Sequence, residues 1–246
     1  IDACLVGSEM CIRDSSKDYI AGFPSHPHRG IETVTYMLAG EFEHKDSTGG
    51  EGRMTAGDVQ WMKTGSGIIH SEMPAMKEGK LHGFQLWINM PASLKMSKPE
   101  YHYIDANEMS MHHDEDKKIK VIAGKFENAE GPIKKHNVEP IFFDVELKQN
   151  KQFSFSIPKS HNSFVYLVDG RIKIGNLSHN NIEGSKLVLL TNGNNLKVSA
   201  ETNAKFLLIA GEPIGESIAR GGPFVMNTKS EIIQAINDYN NGTFVR

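Results

Sequence analysis

From about Asp18 to Tyr103, short apolar stretches alternate with turns built on Gly and Asp. ETVTYML, GEFEHKD, GDVQWMK, GIIHSEM and LHGFQLWINM have the length of strands and their period-2 or continuous apolar character. A polar, charge-rich passage, MSMHHDEDKKIK, comes next and reads as a linker. Beyond it KVIAGKF, IFFDVELK, QFSFSIP, SFVYLVDGRIKIG, KLVLLTN, LKVSAE and AKFLLIAGE form a second set of strands. Helical periodicity is confined to TKSEIIQAINDYNNG, where Thr228 or Ser230 is the expected N-cap and Ile232, Ile233, Ile236 and Tyr239 share a face. So many short strands in each half predict an all-β protein with two domains of sandwich or barrel type. They span 15–110 and 118–246, the second ending in the helix.

An internal repeat supports the doubling. VTYMLAGEF (34–42) aligns with FVYLVDGRI (164–172), matching Tyr36 to Tyr166 and Gly40 to Gly170. GDVQWMKTGSG (57–67) aligns with GSKLVLLTNGN (184–194). The halves therefore read as duplicated barrels of one fold. Polar residues do not repeat: carried along these alignments, His26 and His28 fall on Ser156 and Pro158, and His70 and Glu72 on Lys197 and Ser199. Whatever the histidines do, only the first half does it.

Residues two apart on a strand project to the same face, so His26 and His28 can enter one cavity, and Pro27 between them favours the extended chain this needs. His70 and Glu72 stand in the same relation in GIIHSEM. Convergence of the two pairs would supply three imidazoles and a carboxylate. That donor set suits Fe(II), Mn, Ni, Cu or Zn with positions left for water, substrate or dioxygen, and without thiolates it does not suit a closed structural zinc site. His102, His112, His113, His136, His161 and His179 read as surface or hydrogen-bonded residues.

Composition narrows the alternatives. The 246-residue chain has a formal net charge of -3, which gives no electrostatic case for nucleic acid or an anionic membrane. It has no apolar run of about 18 residues, so no transmembrane helix is expected. The opening string IDACLVGSEMCIRDS lacks the regions of a signal peptide and resembles translated adapter sequence, so residues 1–14 are set aside as a non-native scar. Cys4 and Cys11, the chain's two cysteines, both lie in it. The remainder then has no disulfide, thiolate site or cysteine nucleophile, which suits a reducing cytoplasm.

HPHRGIETVTYMLAGEFEHKDSTG, AGDVQWMKTGSGIIHSEMP, LHGFQLWINMP and GEPIGESIARGGPFVMNTKSEI, in that order, closely resemble the pirin family of the cupin superfamily. The resemblance implies a monomeric bicupin: two jelly-roll (double-stranded β-helix) barrels face to face, the first metal-bearing and the second without metal. It implies His26, His28, His70 and Glu72 as ligands of one divalent metal, Fe(II) before Mn, Ni, Cu or Zn. It also implies that strand-forming residues normally precede DYIAGFP, where this chain carries the scar. The wider cupin pattern takes its carboxylate from a Glu shortly after His-x-His, a spacing that Glu32 meets. Glu32 and Glu72 share strand parity with their histidines if the strands are regular, so parity leaves the choice open; the pirin pattern favours Glu72, with Glu32 holding the strand end through hydrogen bonds.

Two functions follow from the resemblance. Bacterial pirin-like proteins resemble quercetin 2,3-dioxygenases, which open the central ring of flavonols with dioxygen and release carbon monoxide, a role in which Glu72 would take the substrate's proton. Eukaryotic pirins resemble metal- or redox-dependent partners of transcription factors, and some bacterial ones resemble regulators of metabolic enzymes. Around the site, Gly65 and Gly67 are expected to make a tight turn that presents His70. His82 and Gln85 are candidates for the cavity wall, while Trp61, Met62, Phe84, Trp87 and Phe42 are expected core. Arg29 reads as a salt-bridging residue beside the site.

Overall fold

The alternating segments of both halves form antiparallel strands. The computed structural model of the chain describes residues 12–14, 22–76, 78–133, 137–175 and 181–245, so that Cys4, Cys11, His136 and His179 lie outside the described residues. Contacts divide the chain into two units, residues 1–106 with 214–246, and residues 107–213.

In the first unit the strands are β1 (Ile12–Asp14), β2 (Phe23–His28), β3 (Ile31–Ala39), β4 (Phe42–Asp46), β5 (Glu51–Met54), β6 (Val59–Lys63), β7 (Ile68–Pro74), β8 (Leu81–Asn89) and β9 (Glu100–Ile104). They form two sheets, in the orders β1-β8-β3-β6-β9 and β2-β7-β4-β5. Strand β1, inside the segment set aside above, pairs with β8. The second unit holds β10 (Met111–His113), β11 (Lys117–Ala123), β12 (Lys125–Phe126), β13 (Ala129–Glu130), β14 (Ile141–Leu147) and β15 (Gln152–Ser156). It continues with β16 (Asn162–Asp169), β17 (Arg171–Ile174), β18 (Asn181–Glu183), β19 (Lys186–Leu189), β20 (Asn195–Ala200) and β21 (Ala204–Gly211). Its sheets run β10-β11-β14-β21-β16-β19 and β15-β20-β17-β18, beside the hairpin β12-β13. Strands β22 (Ala219–Gly221) and β23 (Phe224–Met226) and helix α1 (Lys229–Asn240) belong to the first unit.

The repeat is physical. The triplet β8-β3-β6 in one unit matches β21-β16-β19 in the other, and β2-β7-β4-β5 matches β15-β20-β17-β18. Strands β3 and β16 each carry a register shift near their ends, at Met37/Ala39 and Leu167/Asp169. Each then turns on a glycine with positive φ, Gly40 at 86° and Gly170 at 87°. The fillings differ. The second unit packs Phe143, Phe153, Phe206, Val165, Val198 and Leu208 into one apolar cluster. In the corresponding sheets of the first unit, Gln60, His28, His44, His70 and Glu72 are buried.

Three expectations need correction. The gapless alignment slips by one residue on the ligand strands: Ser156, Pro158 and Lys197 are exposed, and the buried positions are Phe153, Ile157, Leu196 and Val198. Side chains alternate with a period of two, so one residue of difference in loop length moves every position to the opposite face. MSMHHDEDKKIK is no linker, because β10 and β11 pair around a turn in which Asp114 accepts from the backbone N–H of Asp116 and Lys117. Its charges serve that turn. Helix α1, capped by Thr228 in a capping box with Glu231, buries Ile232, Ala235 and Asp238, leaving Ile233, Ile236 and Tyr239 exposed. Its face is set by Ile232 and Ala235 packing with Phe224, Met226 and Phe244, and by Asp238 pairing with Arg29. These contacts group residues 214–246 with the first unit. Among the described residues no helix is long and apolar enough to cross a membrane.

Candidate metal centre

Three strands of the sheet β2-β7-β4-β5 each bring a histidine to one face. His26 is registered directly against His70, and His70 against Asp46; one step along the same face, Glu72 is registered against His44. The rings of His26, His28 and His70 lie with centroids 4.3 to 5.0 Å apart. One nitrogen from each falls within 4.8 Å of the others, as do ligand atoms of His44, His70 and Glu72. The four residues expected from the sequence are divided between these two groups, which share His70, and the second group adds His44.

The protonation pattern fits a metal. His26 donates Nδ1–H to the Pro24 carbonyl at 2.8 Å, and His28 Nδ1 faces the Pro223 carbonyl at 3.4 Å, which leaves each Nε2 as the unprotonated nitrogen. His28 Nε2 and His70 Nε2 are buried with no hydrogen-bond partner. Buried polar atoms without partners cost free energy, and two in one histidine cluster are what an ion there would satisfy. Burial, reinforced by His26, pushes His28 down to about 3. Burial also depresses His70, reinforced by His28, His26 and His44. The His28 and His70 rings are therefore neutral, the state in which imidazole ligates.

Glu72 is fully enclosed and oriented by amides and a hydroxyl. Gln60, Thr35 and Gln85 are registered across β6, β3 and β8, and all three donate to it, at 3.4, 3.1 and 2.9 Å. Burial pushes its carboxyl above the usual range, against the lowering effects of His44, His26, Gln85 and Thr35. Glu32 is placed differently. The strand is interrupted at Gly30, with φ of 79°, so parity does not carry from His28 into β3. Thr35 reaches Glu72, so Glu32, an odd number of residues away on β3, takes the other face and accepts the Trp61 indole N–H at 2.6 Å. It is in neither ligand group among the described residues.

The C-terminal segment braces this cluster. Arg29, next to His28, is buried and donates to Asp238 Oδ2 at 2.7 Å, to the Ser66 carbonyl at 2.6 Å and to the Phe244 carbonyl, with its guanidinium 4.4 Å from the Phe244 ring centroid. It is the salt-bridging residue expected. Lys95 Nζ donates to the carbonyls of Gly30 and Val225 and to Asn89 Oδ1, all at 2.7 to 2.8 Å. Gly65 and Gly67 turn with φ of 46° and 143°, and a side chain on either would strike Ser97 or Phe244. Trp61, Met62, Phe84, Trp87 and Phe42 are core as expected. Gln85 lines a cavity beside Glu72 with Phe23, Met37, Leu81 and Phe84; its volume is about 20 Å3, room for about one water. His82 is buried against Phe84 and is not among the residues lining that cavity.

His44 lies outside the ligand set expected from the sequence. It sits in EHKD as the first member of a His-x-Asp pair, the same two-residue spacing as His-x-His at 26–28 and His-x-Glu at 70–72. That spacing was the available signal.

Comparison with known proteins agrees with the fold. The family model described as Pirin matches residues 6–88, and that of the pirin C-terminal cupin domain matches residues 142–245. A pirin-like protein of Caulobacter vibrioides is 42% identical over 233 residues, 94% of this chain and 83% of the relative. A Vibrio cholerae protein provisionally named a quercetin 2,3-dioxygenase is 43% identical over 236 residues, again covering 94% and 83%. The crystal structure of quercetin 2,3-dioxygenase from Acinetobacter baumannii superposes with a TM-score of 0.85 at 37% identity, covering 91% of this chain and 79% of that one.

Proposed function

Since the chain belongs to the pirin family of two-domain cupin proteins, we propose that it is a metal-dependent dioxygenase of flavonol-like, enol-bearing aromatics, its ion held by His26, His28 and His70 with Glu72. The observation that carries this reading is the pair of partnerless buried nitrogens, His28 Nε2 and His70 Nε2, within one histidine cluster. A divalent ion there supplies Lewis acidity that lowers the pKa of an enol hydroxyl. Fe(II) heads the candidates, with Mn, Ni, Cu and Zn behind it.

The chain's residues then have distinct tasks. The neutral rings of His28 and His70 would hold an ion without offsetting its charge. Glu72 accepts the enol proton, and Gln60, Thr35 and Gln85 fix the direction of its carboxylate before substrate arrives. The substrate reaches the cluster from the side of His26, which is half-buried, because the cavity beside Glu72 is too small for an aromatic ring.

That same small cavity favours a second reading, in which the metal sets a surface for a protein partner and nothing turns over. Carbon monoxide separates the two. Metal-free protein is loaded anaerobically with Fe(II), Mn(II), Ni(II) or Cu(II), then given flavonol and dioxygen. The enzyme reading expects carbon monoxide from at least one metal and none above background from His70→Ala. Carbon monoxide from no metal refutes it.

A further inference from the structure

His44 is buried and has no place in the four-residue set. Its ring stacks on Tyr101 at 4.6 Å with the planes 9° apart. Its Nε2 lies 2.8 Å from Asp46 Oδ2. The other oxygen of Asp46 is already occupied by Thr48 N, Thr48 Oγ1 and Gly50 N, at 2.7, 2.6 and 3.1 Å. The carboxylate is thus anchored by its loop and turned toward His44. An ionised carboxylate only accepts, so His44 Nε2 carries the proton and its Nδ1 is a lone pair.

That lone pair faces two nitrogens, Gln60 Nε2 at 3.1 Å and His70 Nδ1 at 3.4 Å. The amide of Gln60 donates. For His70 Nδ1 to be satisfied it must donate too, which fixes the His70 proton on Nδ1 and leaves Nε2 bare. His70 Nε2 is the buried atom found without a partner. The directions of the two hydrogen bonds agree along the whole line, from carboxylate to His44 to His70 to the cluster.

We infer that His44, backed by Asp46, is a positioning residue of the metal centre: it takes the Nδ1 hydrogen bond of His70, sets that ring's tautomer and aims its Nε2 at the ion. The inference rests on the reading of the cluster as a metal site. Partners of this kind behind a ligating imidazole fix its orientation and raise its basicity, and losing one typically costs 10- to 100-fold in metal affinity.

The test needs two readouts. In metal-free wild-type protein, histidine ring 15N shifts report the tautomers: the expected pattern is Nε2–H for His44 and Nδ1–H for His70, and Nε2–H on His70 overturns the inference. Co(II) affinity and the visible Co(II) spectrum are then compared among wild type, His44→Phe, His44→Asn and Asp46→Asn. Phe keeps the stack on Tyr101 and lacks the acceptor, so affinity should fall about 10- to 100-fold with a shifted spectrum. Asn puts an acceptor oxygen where Nδ1 stands and should recover most of the loss. Asp46→Asn leaves His44 itself in place and should fall between wild type and His44→Phe. Equal affinity and spectra for wild type and His44→Phe overturn the positioning role while leaving the metal site standing. Two Co(II) ions in wild type against one in His44→Phe overturn it in favour of direct ligation. A wild type that binds no Co(II) overturns the metal reading itself, and this inference with it.

Discussion

Replacing Asp238 by Ala tests whether the C-terminal helix braces the strand that carries His26 and His28. The Arg29 and Asp238 side chains are 1% and 6% exposed and meet at 2.7 Å. Deleting the carboxylate leaves the guanidinium with the Ser66 and Phe244 carbonyls and the Phe244 ring, none of which neutralises its charge. Breaking a buried ion pair from one side costs about 3–5 kcal/mol. For a chain of this size that corresponds to a fall in Tm of roughly 6–20 °C. The pair Lys63–Glu100 is the internal control, since its side chains are 22% and 49% exposed and Lys63→Met should cost no more than about 1 kcal/mol. Urea unfolding followed by circular dichroism gives both values, and Co(II) titration of Asp238→Ala reports whether His28 has loosened. The double variant Arg29→Met/Asp238→Leu should be more stable than Asp238→Ala, because it removes the orphaned charge. A cost below about 1 kcal/mol for Asp238→Ala, or a double variant no better than the single, refutes the brace.

Three further outcomes follow from the site. His28 and His70 have folded pKa values below the ordinary 6.5, so the unfolded chain takes up protons first and their contribution is lost as pH falls below about 6.5. At about 1.4 kcal/mol per pK unit, the two together should remove about 4 kcal/mol between pH 7 and pH 5 in metal-free protein. Glu72 is raised and acts with the opposite sign, so the measurement belongs in a Glu72→Gln background, and an unchanged slope after His28→Asn/His70→Asn would falsify the assignment. On the choice of carboxylate, Glu72→Gln should weaken Co(II) binding at least tenfold, whereas Glu32→Gln should keep the metal and lose about 1–3 kcal/mol of stability through Trp61. The reverse pattern would transfer the ligand role to Glu32. Gly67→Ala should cost more than about 1 kcal/mol in thermal unfolding, since its Cβ would fall 2.8 Å from the Phe244 carbonyl oxygen at a φ of 143°. A neutral substitution would mean that the turn before His70 is not so constrained.

The strands were legible because their signal is local. ETVTYML and SFVYLVD alternate as β3 and β16 do, and the Tyr–Gly spacing that revealed the repeat marks the same bulge and positive-φ turn in each unit. Helix α1 was legible for a similar reason, its capping box being written in Thr228 and Glu231. Its buried face was not. Hydropathy ranks Ile233 and Ile236 above Asp238, yet a buried arginine 209 residues earlier decides which side turns inward. The charged passage at 109–120 misled for the converse reason: charge density marks solvent exposure, and an exposed hairpin turn satisfies it as well as a linker does.

The ligand pairs show where parity reasoning holds and where it fails. Within one strand the two-residue spacing is reliable, so His26 falls in one group with His28, and His70 in one group with Glu72. Between strands it holds only if no residue breaks the alternation, and Gly30 breaks it between His28 and Glu32. The carboxylate question was therefore undecidable from the pattern, although the residue that makes it so was in view, a glycine directly before the strand. The same argument runs in reverse for His44. His-x-Asp on β4 has unbroken parity, and β4 is hydrogen-bonded to β7, so the inward residue beside Glu72 must face the same side as His70 and Glu72. Three neighbouring strands each bearing a histidine two residues from a second polar side chain are a stronger pattern than two, and the third places an anchored carboxylate behind the clustered imidazoles. The second unit fills the matching positions with Phe153, Leu196 and Val198. Between these two fillings of one topology lies the difference between a structural barrel and a barrel that can bind an ion.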